Sequence, residues 1–229
     1  MTRRAPTRAE NREAMETEIR RLAREHLRSH GAAGLSLRAI ARDLGVVSSA
    51  VYRYVPSRDE LLTTLLVEGY TDLADAVEAR IDEVDPADHR ARIVAGATAV
   101  RAWGVGDTAR WTLLYGSPVP GYAAPPERTV GPGTRVQARL LHEIADAEAA
   151  GALRPAAPVT APPAGFMRGA RSEFGLSISD EALTAAVTLW STIVGMVSLE
   201  IFGQYGPDLD DADALFAAQL GTVLTTLFG

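Results

Sequence analysis

The sequence of 229 residues has no cysteine and no lysine. Without cysteine there are no disulfides and no thiolate metal sites. The missing lysine fits a bias of genomic base composition and points to no function. No stretch reaches the ~18 uninterrupted apolar residues that a membrane span requires. The opening MTRRAPTRAENREAMETEIRR carries arginines but no apolar core behind them, so it does not read as a signal peptide. No alternating run of useful length suggests a strand, and no phosphate-cradling glycine loop occurs. What remains is an ordinary globular composition, 47% hydrophobic and 23% charged. The length fits one large domain or two small ones, and a cytoplasmic location is the expectation.

Charge is unevenly spread. The net charge is −6, yet residues 1–60 hold 12 arginines against 8 acidic residues, a balance of +4. Residues 61–229 hold 11 against 21, a balance of −10. A small basic module on an acidic body is the pattern of a part that meets a polyanion.

Helical spacing runs through the whole chain, and the expected fold class is all-α. Ile19, Leu22, Ala23 and Leu27 predict a helix from about Asn11 to His30, stopped by Gly31. Ser36 caps a short helix from Leu37 to about Leu44, and Ser48 or Ser49 caps another that ends before Pro56. In PSRDELL, Ser57 is the expected N-cap of a long helix to about Val84, with Glu60 as its capping-box partner. Further helices are expected at 87–105, Ala109–Tyr115, 134–150, 179–204 and 210–228. The segment GSPVPGYAAPPERTVGPG, residues 116–133, and the segment RPAAPVTAPPAG read as proline-rich loops. The organisation is then a flexible basic arm at 1–10, a small module at 11–71 and a larger helical body at 72–229.

The spacing within 36–55 is that of a helix-turn-helix. Ala41 lets two helices approach, Gly45 takes the turn, and Val51 seats the second helix on the first. Ile40, Leu44, Val46, Val51 and Tyr54 form an inward face. Ser48, Ser49, Tyr52 and Arg53 are then outward, with hydroxyls and a guanidinium suited to phosphates and base edges. The N-terminus of the second helix also directs backbone N–H groups at anionic oxygen. Arg3, Arg4 and Arg8 precede the first expected helix, as an arm for the minor groove or as a solvated tail.

From Ile19 to Tyr70 the chain resembles the DNA-binding domain of TetR-family transcriptional regulators. The resemblance is carried by Ile19, Leu22, Ala23, Gly31, Leu35–Ser36, Ile40–Ala41, Leu44–Gly45–Val46, Val51–Tyr52, Tyr54, Arg58 and Leu61–Leu62. Val47, Val55 and Arg58 stand where many members have Ser or Thr, Phe, and Lys. The resemblance implies that Ser36, Arg38, Tyr52, Tyr54 and Arg58 hold the DNA backbone, leaving Ser48, Ser49 and Arg53 for base edges. It also implies a homodimer on double-stranded operator DNA and a small-molecule effector, with no cofactor and no membrane partner.

The body offers two further sets of residues. Leu183, Val187, Val194, Val197 and Ile201, then Phe216, Leu220, Val223 and Leu227, recur at helical spacing on the last two helices and suit a four-helix dimer interface. The stretch WTLLYGSPVPGYAAPP resembles the regulatory domain of the WHG-type branch of the family, which implies ligand sensing. Trp103, Trp111, Leu114, Tyr115, Phe166, Met167, Trp190 and Met196 are its candidate pocket residues, with Gln137, Arg139 and His142 as polar contacts. An enzyme is disfavoured: Ser117 lacks the second glycine of a nucleophile elbow, and His142 with Asp146 lacks further metal ligands. A helical interaction module that has lost operator binding is the other alternative. The absence of acids from 46–58 argues against it. Repressor action is expected over activation.

Overall fold

The computed structural model describes residues 7–155 and 160–229. Arg3 and Arg4 of the expected arm lie outside the described residues, as do 156–159 of the second proline-rich segment. Among the described residues there are ten α-helices and no strand. They are α1 Arg8–His30, α2 Leu37–Asp43, α3 Ser48–Tyr52, α4 Arg58–Asp82, α5 His89–Gly106, α6 Thr108–Tyr115, α7 Pro126–Ala149, α8 Ala164–Phe174, α9 Asp180–Ile201 and α10 Ala212–Phe228. They form two compact units. The first, called the head below, holds the residues up to Gly69 together with Thr108–Val130. The second, the body, holds Tyr70–Asp107 with Gly131–Gly229.

Several boundaries depart from the sequence expectation. Helix α1 begins at Arg8 and not at Asn11, because Thr7 and Glu10 form a reciprocal capping box. Arg8 is therefore helical and not part of an arm. Ser57 does cap α4 through the Glu60 N–H at 3.0 Å, but the Glu60 carboxylate binds Arg128 at 2.7 and 2.8 Å instead of closing a capping box. Helix α7 starts at Pro126, eight residues before the expected 134, with Pro132 inside it. Proline at a first helical position has no amide bond to lose. Helix α8 occupies a stretch with no helix assigned from sequence, and it ends on Gly175 in the left-handed conformation.

The head is built on Ile19, Leu22, Ala23, Leu35, Leu37, Ile40, Ala41, Val51, Leu61, Leu62 and Leu65, all buried. Leu113, Val119 and Tyr122 pack against that cluster, so the segment 108–130 belongs with the head, whereas the sequence reading placed it in the body. The Tyr122 and Thr63 hydroxyls meet at 2.9 Å. Trp111 is fully buried and packs on Tyr115 with ring centroids 4.6 Å apart.

In the body, α9 packs against α5 and α10. Helix α9 is long and apolar enough, by length and composition, to cross a membrane, with a mean hydropathy of 1.7 and 44% of that window buried. Counting uninterrupted apolar residues missed it, because threonines and serines interrupt a stretch that carries no charge from Ala182 to Leu199. Arg101 of α5 holds α9 through Glu200 (2.7 and 2.8 Å) and α10 through Asp213 (2.6 Å). Arg92 and Glu143 form a buried bidentate pair at 2.7 and 2.8 Å between α5 and α7. Arg92 also donates to the Ile81 and Val84 carbonyls, and Arg139 donates to Glu143 at 3.0 Å. Burial works to raise the Glu143 pKa. Bonds and charge from Arg92 and Arg139 outweigh it and hold the carboxyl below its usual range.

Candidate functional site

The turn between α2 and α3 follows from three residues. Gly45 sits at φ +68°, a conformation that costs any residue with a Cβ. Ala41 and Val51 are each 1% exposed, which places the two helices in close contact. The Val46 N–H then bonds the Ala41 carbonyl at 3.0 Å and closes the turn.

On this scaffold Ser36 caps α2 by accepting from the Ala39 N–H at 3.4 Å. Arg38, Ser49, Tyr52 and Arg53 are exposed, and Ser48 is half-buried. Neither serine caps α3. Both lie in its first turn, and Val47 holds the N-cap position with no side-chain bond and 72% exposure. Tyr54 is half-buried against the head core and lies under the Arg12 guanidinium, 5.7 Å from its ring centroid.

Electrostatics separate the head's arginines. Arg12 pairs with Glu16, Arg20 and Arg24 with Glu68, and Arg21 with Glu18 and Glu25. These compensated cations offer little to a polyanion. Among the described residues, Arg38 and Arg53 have no hydrogen-bond or ion-pair partner. Arg58 departs from its expected role. Its Nε donates to the Leu35 carbonyl at 3.1 Å, and its Nη2 donates to those of Ala32 and Ala33 at 3.0 and 3.2 Å. It closes the connection between α1 and α2 with Nε and Nη2, while its Nη1 lies 3.8 Å from the Asp59 carboxylate.

The body holds a cavity of about 420 Å³ walled by α7, α8 and α9. Of the expected pocket residues, Phe166 and Trp190 line it, and so does Gln137. Trp111, Leu114 and Tyr115 are instead packed in the head, where Leu114 covers Gly69. Met167 is buried off the cavity wall, and Met196 faces a narrow cleft toward α10. Trp103 is half-buried on α5 and lines none of this cavity. Arg139 is held by Asp82 and Glu143, and His142 bonds the Ala138 carbonyl of its own helix at 2.7 Å. The sequence reading missed α8 and with it Ala170 and Phe174. The signal was the spacing Phe166, Ala170, Phe174 ahead of Gly175.

The expected dimer stripe divides. Leu183, Val197, Phe216, Leu220 and Leu227 are buried within the chain, and Leu183 also reaches the cavity with Val187. These five are interior residues, not seam residues, because a helix that is apolar nearly all round does not reveal which side faces in. Val194, Ile201 and Val223 are half-buried, and Val187 is 36% exposed. Between the acids at their ends, the exposed residues of α9 and α10 are uncharged, with Ser191 and Leu199 on α9 and Ala214, Ala218, Thr222 and Thr225 on α10, and Phe202 is exposed just past α9.

Comparison with known proteins finds an N-terminal and a C-terminal domain, the latter spanning Thr108–Val130. Residues 19–65 match the model for bacterial regulatory proteins of the tetR family, and residues 93–223 match that for the tetracyclin repressor-like C-terminal domain. The chain is 49% identical over 228 residues to the HTH-type transcriptional regulator Rv1816 of Mycobacterium tuberculosis, with 99% of this chain and 97% of that one covered. The regulator Mb1846 of Mycobacterium bovis gives the same figures of 49%, 99% and 97%. Among solved structures, the regulatory protein SCO4313 shares 32% identity at a TM-score of 0.75, covering 96% of this chain and 100% of that one. SmeT, solved as a complex with triclosan, shares the fold at a TM-score of 0.61 with 17% identity, covering 94% and 92%. Both the head and the body are thus those of a DNA-binding transcriptional regulator, and the chain belongs to the TetR family.

Proposed function

We propose that this regulator is a repressor that binds a palindromic operator as a homodimer in the cytoplasm and leaves it when a small molecule fills the body cavity. The observation that carries the DNA side of the reading is the state of Arg38 and Arg53. They are exposed and without a partner on the helix-turn-helix, while Arg12, Arg20, Arg21 and Arg24 of α1 are compensated. Tyr52 and Ser49 stand exposed on the same short helix as donors for phosphate or base edges.

Dimerisation is supported by the outward surface of α9 and α10. No charged residue occurs from Ala182 to Leu199 or from Ala214 to Gly229. Charged side chains normally keep such helices solvated, so a surface free of them suits a second copy. Two recognition helices then meet half-sites one helical turn apart.

The effector acts by population shift: it favours one arrangement of the two α3 helices over another by its difference in affinity for them. Helix α7 suits the role of transmitter. It lines the cavity with Thr134 and Gln137, and its first turn carries Arg128, the partner of Glu60 at the start of α4. Triclosan on SmeT is a fold-level analogy for a small molecule on this architecture.

The test is an anisotropy titration on duplex DNA from upstream of the protein's own gene, with random duplex as competitor, for wild type and Arg53→Ala. Tight competitor-resistant binding that Arg53→Ala reduces at least tenfold supports the reading. Equal affinity of wild type and variant for operator and random DNA contradicts it.

A further inference from the structure

The cavity in the body has a lining with one sign of charge. Its walls are Leu140, Leu141, Ile144, Leu183, Ala186 and Val187 with the aromatic rings of Phe166, Phe174 and Trp190. Thr134, Gln137 and Glu173 are its polar members. Among the described residues no arginine lines it, and arginine is the chain's one fixed cation. Glu173 is exposed, and among the described residues its carboxylate has no hydrogen-bond or ion-pair partner.

From this lining we infer that the ligand is an organic cation: a protonated amine or quaternary ammonium on an apolar body. The inference rests on the effector reading of the same cavity and names its ligand class. A volume of about 420 Å³ lies within the roughly 300–1,000 Å³ of pockets that take drug-sized molecules. Apolar walls take the hydrocarbon part. Aromatic faces carry negative potential and attract a cation within about 6 Å of the ring centroid. An unpaired carboxylate adds to that attraction. An anion placed here meets a like charge and no compensating group, at the cost of its desolvation. The acidic excess of residues 61–229, 21 acids against 11 arginines, biases the approach of ligands the same way.

Three ligands of one chain length isolate the charge: decylamine, protonated at neutral pH, decanol, and decanoate. Each is titrated against the protein loaded with N-phenyl-1-naphthylamine, a neutral dye that fluoresces in apolar sites. Ala170→Trp fills the cavity from α8. Gly169→Leu serves as a second block, because a Cβ at Gly169 meets nothing within 4 Å and the helix accepts it. The expected result is dye binding that both blocks reduce, and displacement in the order decylamine, decanol, decanoate. Glu173→Gln then weakens decylamine roughly three- to tenfold and leaves decanol within about twofold. Decanoate displacing as well as decylamine overturns the inference, as does dye binding insensitive to both blocks. Operator affinity measured with each ligand separates the two claims. Charge-ranked binding with unchanged operator affinity supports the ligand class and removes the effector role. Unranked binding that still releases DNA removes the class and keeps the role.

Discussion

Replacing Arg58 separates a structural role from a DNA-backbone role. The guanidinium donates three hydrogen bonds to the carbonyls of Ala32, Ala33 and Leu35, at 3.0, 3.2 and 3.1 Å. Bonds to a charged group contribute roughly 1.5–3 kcal/mol each when protected from water. The side chain is 31% exposed, so water replaces part of that on truncation. Arg58→Ala should cost about 2–3 kcal/mol of head stability. Arg58→Lys, a point donor in place of a planar fork, should recover about 1 kcal/mol of it. The assay is urea unfolding with Trp111 as the sole tryptophan, through Trp103→Phe and Trp190→Phe, since Trp111 is buried in the head. Operator affinity is then measured against salt under conditions where the variants are folded. Removing a cation that binds phosphate would reduce the salt slope by about one, and here the slope should stay unchanged. An unchanged unfolding midpoint together with a reduced slope would refute the inward role.

Five other substitutions probe the body. Glu143→Gln leaves the buried Arg92 with only the exposed Asp82 carboxylate at 3.9 Å and should destabilise the protein by up to about 3 kcal/mol, read by thermal melting at neutral pH. The wild-type pair makes its full contribution above the ordinary carboxylate value of about 4.5 and loses it as pH falls through the lower folded value, so the gap between the two proteins should narrow below that pH. Gly96→Val should cost about 1–3 kcal/mol, because a Cβ there lies 2.9 Å from Ile81 Cδ1 and 3.1 Å from Leu140 Cδ2. Gly106→Ala, which meets nothing within 4 Å, should be neutral or slightly stabilising in the same melts. Gly195→Arg and Ala218→Glu place charge on the outward α9 and α10 surface without a clash inside the chain at Gly195. Light scattering should give a folded monomer for either, and a dimer for wild type.

The head was legible in sequence because its determinants are local. Ala41, Gly45 and Val51 fix a turn within eleven residues, and their steric needs can be read from residue type. The start of α1 was equally local. Thr7 and Glu10 have capping-box spacing, but arginines on both sides made the segment read as a tail. Arg58 was not legible, since a cation at a helix start serves carbonyls or phosphates equally well until the fold brings Ala32, Ala33 and Leu35 to it. The same limit applied to the body. Leu183, Leu220 and Leu227 differ from an exposed seam only in which side of the helix faces the core, and that is settled by packing among α5, α9 and α10. The cavity needed α7 and α8 in place, and their starts lay in proline- and glycine-rich sequence that reads as loop.

DNA reading by α3 is best tested by selecting binding sites from a library of random duplexes, in parallel with wild-type protein and with Arg53→Ala. The expected result is enrichment of a two-fold symmetric sequence with half-sites about one helical turn apart, and relaxed preference at one symmetric pair of positions in the variant. Enrichment of no sequence, or of a sequence on which the two proteins behave alike, would contradict the claim that α3 reads DNA through Arg53.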